Sequence, residues 1–130
     1  MKYVIATHGR LAEGFASAIS VLSGYSDIHT VCAYLEEGDF PHNFEALLTK
    51  FGIEEEIIVF TDFLGGSVTQ TISQYMNGHP NLHIIAGANL ALIMETVMCH
   101  IEMKEETIEP VVDQARQQMV YLNSLLRKPL

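Results

Sequence analysis

Short runs of apolar and β-branched residues alternate along this chain with longer segments whose apolar positions recur every three to four residues. Runs of the first kind, among them Tyr3-Val4-Ile5-Ala6 and Ile57-Ile58-Val59-Phe60, predict strands near 2–7, 28–34, 56–61 and 82–87. Most are apolar nearly throughout, as strands covered on both faces are. The segments between them predict helices near 10–23, 41–51, 67–77 and 90–99. A longer helix is predicted near 108–126, with Val111, Val112, Ala115, Met119, Leu122 and Leu126 at helical spacing. Pro41 suits a first helical turn, Gly52 a C-cap, and Asn77-Gly78-His79-Pro80 a helix end followed by a turn. At the start of the last helix Thr107 can cap, Glu109 favours the positive end, and Pro110 falls within the first turn. Strands alternating with helices predict βαβ units, and so an α/β, doubly wound, flavodoxin-like domain with a mostly parallel sheet and helices on both faces.

Two of the predicted strands end alike. Tyr3 to Thr7 runs into His8-Gly9-Arg10, and Ile57 to Thr61 runs into Asp62-Phe63-Leu64-Gly65-Gly66-Ser67. The crevice outside the carboxyl ends of the strands is where open α/β sheets hold ligands. A histidine in a globular chain is most often structural, but His8 follows a buried-looking strand, precedes a glycine and opens a helix, which favours an accessible ring nitrogen. Asp62 could be an ordinary turn aspartate. As a partner of His8 it would instead accept a hydrogen bond from one ring nitrogen, fix the tautomer and leave the other nitrogen nucleophilic. The two meet only if strands 1 and 3 are neighbours, as in the 2-1-3-4 order common in small doubly wound sheets. Gly65-Gly66-Ser67 taken alone reads more safely as a turn ending in an N-cap serine, and it also offers free amides, a hydroxyl and a helix start, which together make an anion site.

Composition narrows the class. With 130 residues, 48% of them hydrophobic, the chain can bury one core and is too short for two ordinary domains, so a single domain over residues 1–130 is expected. No repeat, linker or low-complexity tract divides it. The net charge of −9 argues against a nucleic-acid partner, because seven scattered Lys and Arg residues make no basic stripe. No apolar stretch approaches a membrane span, and the N-terminus enters a strand without a leader pattern, so no membrane insertion and a cytoplasmic location are expected. Cys32 and Cys99 lie far apart in apolar surroundings and read as core thiols. His29, His42, His79, His83 and His100 have no ligand-like spacing and receive no role.

Other chemistries fit the motifs less well. No Lys-Ser/Thr follows the glycines as in a Walker loop, no GxGxxG is present, and Gly65-Gly66-Ser67-Val68 lacks the glycine after the serine of a hydrolase elbow. A receiver-type aspartyl-phosphate site would place acidic residues where Thr7-His8-Gly9 stands, and zinc would need more His or Cys in register. A nucleophilic histidine, an orienting carboxylate and an anion cradle remain, with no metal or cofactor called for, and covalent phosphohistidine chemistry suits that set.

Ile5-Ala6-Thr7-His8-Gly9, Thr61-Asp62-Phe63-Leu64-Gly65-Gly66-Ser67 and Ile84-Ile85-Ala86-Gly87-Ala88-Asn89-Leu90, followed by Met94-Glu95-Thr96, together resemble the mannose-type enzyme IIA of the bacterial phosphoenolpyruvate-dependent sugar phosphotransferase system. The resemblance covers essentially the whole chain. It implies that His8 takes a phosphoryl group from the histidine-containing phosphocarrier protein and passes it to a mannose-type enzyme IIB, with Asp62 bonded to the ring nitrogen that carries no phosphate. It further implies phosphate on Nε2 near the Gly66 and Ser67 amides, a homodimer, the 2-1-3-4 strand order, and a fifth, antiparallel strand exchanged between subunits, which the sequence does not locate. Arg10 is an additional candidate ligand or partner contact, and Phe63 and Leu64 are candidate partner-binding residues. Val68 and Ala91-Leu92 depart from the proline and Pro-Met that many members carry. A related phosphotransfer subunit feeding a dihydroxyacetone kinase, and a non-catalytic flavodoxin-like regulatory domain, stay open as alternatives.

Overall fold

The computed structural model describes residues 1–35, 38–100, 102 and 104–127. The elements run β1 (Lys2–His8), α1 (Leu11–Ser23), β2 (Ile28–Ala33), α2 (Phe40–Phe51), β3 (Ile57–Thr61), α3 (Ser67–Ser73), a 3-10 turn (Met76–Gly78), β4 (Leu82–Ile85), α4 (Leu90–Cys99), α5 (Glu105–Arg116) and α6 (Leu122–Arg127). Among the described residues the sheet has four strands in the order β2-β1-β3-β4, every adjacent pair parallel. The α/β fold and the 2-1-3-4 order are therefore those expected.

Strand alternation sends successive residues to opposite faces, and each face carries its own core. On one side Val4, Ala6, Val31, Val59 and Ile57 pack with Phe44 and Leu48 of α2 and Val68 and Ile72 of α3. On the other, Tyr3, Ile5, Ile58 and Phe60 pack with Ala12 and Ile19 of α1, Leu92, Ile93 and Val97 of α4, and Ala115 of α5. Full burial of one such Val, Ile or Phe contributes about 1.5–3 kcal/mol, and every residue from Tyr3 to Ala6 and from Ile57 to Phe60 is buried. The register sets Ala6 beside Thr61 and His8 beside Ala33, so the chain leaves β3 at Asp62 alongside the end of β1.

Three expectations are corrected. The predicted helix over 108–126 is two helices, α5 ending at Arg116 and α6 starting at Leu122. Its apolar spacing persists, but past Ala115 the apolar side chains are left exposed, Met119 by 85% and Leu126 by 74%, and helices draw their stability mainly from packing an apolar face. Helix α5 also starts earlier than expected, with Lys104 at the N-cap and Thr107 at N3, so Pro110 lies inside the helix and removes an internal hydrogen bond. Helix α3 stops at Ser73 rather than 77, because Gln74 and Tyr75 donate to Thr71 and Ile72, three residues back, and tighten its end into the 3-10 turn. Finally, Cys32 is half-buried against the α1 side, where burial pushes its thiol pKa up, whereas Cys99 is exposed at the end of α4 and is not a core thiol.

Candidate active site

The site grows from two buried threonines, Thr7 one residue before the end of β1 and Thr61 at the end of β3. Thr7 is fully buried, and its Oγ1 accepts the Ala12 N–H at 2.7 Å, doing for α1 what its N-cap residue Arg10 does not. Between them Gly9, at φ +56, lets the chain turn from strand into helix within two residues. The Thr69 hydroxyl donates to the Phe63 carbonyl at 2.7 Å and lies 2.8 Å from the Thr61 hydroxyl, bracing the loop after β3. These contacts fix where the residues after Thr7 and Thr61 emerge.

What emerges is a coupled pair. Asp62 Oδ2 lies 2.8 Å from His8 Nδ1 and 2.8 Å from the His8 backbone nitrogen, so one carboxylate oxygen receives both N–H groups of the same residue. Oδ1 accepts the Phe63 N–H at 3.1 Å. Burial alone would raise the Asp62 carboxyl, but the backbone and ring N–H groups of His8 outweigh it and hold the group below the usual carboxylate range. An ionised Asp62 puts the imidazole proton on Nδ1 and leaves Nε2 with a free lone pair. Nε2 faces the Ser67 hydroxyl at 3.5 Å. The side chain of His8 is 36% exposed, against 9% for Asp62, so the imidazole is open to solvent while its carboxylate partner is shielded.

Gly66 is a position where a side chain would crowd that ring. A Cβ there would lie 2.9 Å from the Phe63 ring and 3.2 Å from His8 Cε1. Its own N–H closes a turn onto the Phe63 carbonyl at 3.2 Å. Ser67 is the first residue of α3, Gly66 being the N-cap, so the serine hydroxyl is free to point at His8 instead of capping its helix. Gly65 and Ser67 are exposed beside it.

Of the remaining expected site residues, Arg10 turns to Glu13 of its own helix at 3.3 Å and stays 72% exposed. Phe63 is 52% and Leu64 77% exposed, and the Phe63 ring centroid is 5.3 Å from that of His8. Tyr34 was absent from the sequence reading. It follows β2 at φ +63, its ring centroid is 5.3 Å from that of His8, and its Oη is 2.5 Å from Ser67 Oγ. Its signal was positional: an aromatic residue at the carboxyl end of β2, the strand next to β1. Among the described residues no group of His, Cys, Asp and Glu is arranged to hold a metal ion.

Residues 2–115 match the profile of a family described as the PTS system fructose IIA component, EIIA-man. A candidate phosphoenolpyruvate-dependent sugar phosphotransferase system permease of Klebsiella pneumoniae is 32% identical and superposes with a TM-score of 0.88 over 96% of this chain and 93% of its own. The mannose/sorbose-specific IIA subunit of Enterococcus faecalis shares the fold at 21% identity, TM-score 0.78, over 92% of each chain. So does the PTS IIA protein associated with the fucose utilization operon of Streptococcus pneumoniae, at 20% identity and TM-score 0.79, over 97% of this chain and 96% of that one.

Proposed function

Since the chain belongs to the phosphotransferase-system family of fructose- and mannose-type IIA components, we propose that it is a phosphocarrier that accepts a phosphoryl group on His8 Nε2 and hands it on during sugar uptake. The observation that carries this reading is the asymmetry of the His8 ring: Nδ1 is bound to Asp62 at 2.8 Å, while Nε2 is open toward Ser67. In the loading step the Nε2 lone pair attacks phosphorus in line with the breaking bond, whose electron pair returns to the donor nitrogen. The proton on Nδ1 stays where it is. The ring becomes positively charged, and the Asp62 carboxylate beside it balances that charge. Unloading reverses the step toward the acceptor. Because the transition state is loose, the protein's task is to position groups and to neutralise charge. The Ser67 hydroxyl and the amides of Gly65 and Ser67 are the groups proposed to take the phosphoryl oxygens, Gly66 giving the ring and the phosphoryl group room.

The donor in this reading is the histidine-containing phosphocarrier protein, and the acceptor a mannose-type enzyme IIB, both met in the cytoplasm. Phe63 and Leu64 give the docking surface its apolar part. A homodimer belongs to the same proposal, supported by the edge strand β4, which lines a groove of about 720 Å³ with α5.

Intact-mass measurement tests the central step. Wild type and His8→Ala are incubated with phosphoenolpyruvate, the first enzyme of the system and its phosphocarrier protein. The expected result is one acid-labile phosphoryl group on wild type and none on His8→Ala. No phosphate on wild type, or phosphate that survives the substitution, would sink the reading.

A further inference from the structure

Resting on that phosphocarrier reading, we propose that Tyr34 is a second hydroxyl ligand of the phosphoryl group, acting with Ser67 across the mouth of the site. Three observations converge on it. The backbone at Tyr34 is left-handed, φ +63, a conformation that residues with a side chain rarely adopt, and it directly follows β2, whose last residue Ala33 pairs with His8. The ring lies beside the His8 imidazole, centroids 5.3 Å apart and planes 33° from parallel. Although the residue is 66% exposed, its hydroxyl is 2.5 Å from Ser67 Oγ, on a different loop. An exposed tyrosine can satisfy its hydroxyl with water, so a strained backbone that instead brings it to the reactive edge asks for a purpose.

The proton order along these groups follows from Asp62. With Nδ1–H donating to the carboxylate, Nε2 can only accept, so the Ser67 hydroxyl donates to Nε2 and the Tyr34 hydroxyl donates to Ser67 Oγ. All donors then point toward His8, and the free site is a chain from Tyr34 through Ser67 and His8 to Asp62. Phosphorylation uses up the Nε2 lone pair. The Ser67 hydroxyl loses its acceptor and gains phosphoryl oxygens in the same place. The Tyr34 hydroxyl, one hydrogen bond away, meets the same oxygens without moving its backbone. No proton changes hands: each hydroxyl exchanges a neutral acceptor for an anionic one, which strengthens the bond.

Tyr34→Phe keeps the ring and the backbone and removes only the hydroxyl. The variant and wild type are each brought to equilibrium with the phosphorylated carrier protein at neutral pH, and the loaded fractions of both proteins are read by intact mass. Losing one donor to the phosphoryl dianion moves the equilibrium toward the carrier, by about two- to tenfold for one ordinary hydrogen bond. An equilibrium constant equal to that of wild type overturns the proposal and leaves the phosphocarrier reading intact, because the phosphate is still on His8. Failure of wild type to load overturns both. A residue that merely docks the carrier changes the rate of transfer and leaves the equilibrium unmoved.

Discussion

Asp62 is the residue on which the proposed chemistry turns, and its titration can be read in the stability of the fold. Its folded pKa lies below the usual carboxylate range, while the unfolded value is about 3.9. The ionised group therefore adds stability that is fully present above the unfolded value and is lost as the pH falls through the folded one. In thermal unfolding, wild type is expected to exceed Asp62→Asn at pH 7, with the gap closing below about pH 3.9. A gap that stays constant through that range would remove Asp62 from the acid dependence. The Asn variant is also expected to transfer phosphate more slowly, because its amide no longer fixes the tautomer. His8 and Asp62 were legible in the sequence because each terminates an apolar run just before a glycine-bearing turn. Tyr34 was not, since what carries it to His8 is a single left-handed residue that no periodicity reports.

At the scale of elements, the junctions between strands and helices matter more than their middles. Thr7 is the junction of β1 and α1, and its hydroxyl, fully buried, is the acceptor for the Ala12 N–H. Thr7→Val keeps the shape and leaves that N–H without a partner, for an expected loss of about 1–3 kcal/mol in urea unfolding. The same change loosens the start of α1 directly after His8, so loading should slow as well. Wild-type stability in Thr7→Val would show that water replaces the hydroxyl. The first four strands and helices were legible because their apolar positions match the surfaces they meet. The last helix was misread for a physical reason: spacing specifies a face, but only a neighbour holds it, and beyond Ala115 the described residues supply none. Ser67 shows the same limit, since its position invited the N-cap and Gly66 occupies it.

For the whole molecule, two cores on opposite faces make the central strands rigid and leave the edges to carry association. Sheet order was inferred from what small doubly wound sheets commonly do, because a chain's local pattern does not say which strands become neighbours. The edge at β4 is flanked by a groove whose lining includes Leu64, Ile84, Ile108 and Val112, and α6 beyond it leaves Leu122 and Leu125 at least half exposed. Unpaired edges beside apolar surface are where a second chain adds. Light scattering at micromolar concentration is expected to give twice the 14.5 kDa chain mass; the mass of one chain would refute the dimer.

The enclosure of the His8 ring has a consequence for traffic. Aromatic rings that follow the strands on both sides of β1 flank it, Asp62 closes the Nδ1 side and Gly66 lies against Cε1, so that among the described residues the Nε2 side is the open one. Whatever delivers a group there and whatever collects it must stand on the same threshold. If His8 carries the phosphoryl group as proposed, the two visitors are rivals for one berth, each has to depart before the other can be served, and the chain is a shuttle between successive callers rather than a bridge joining them.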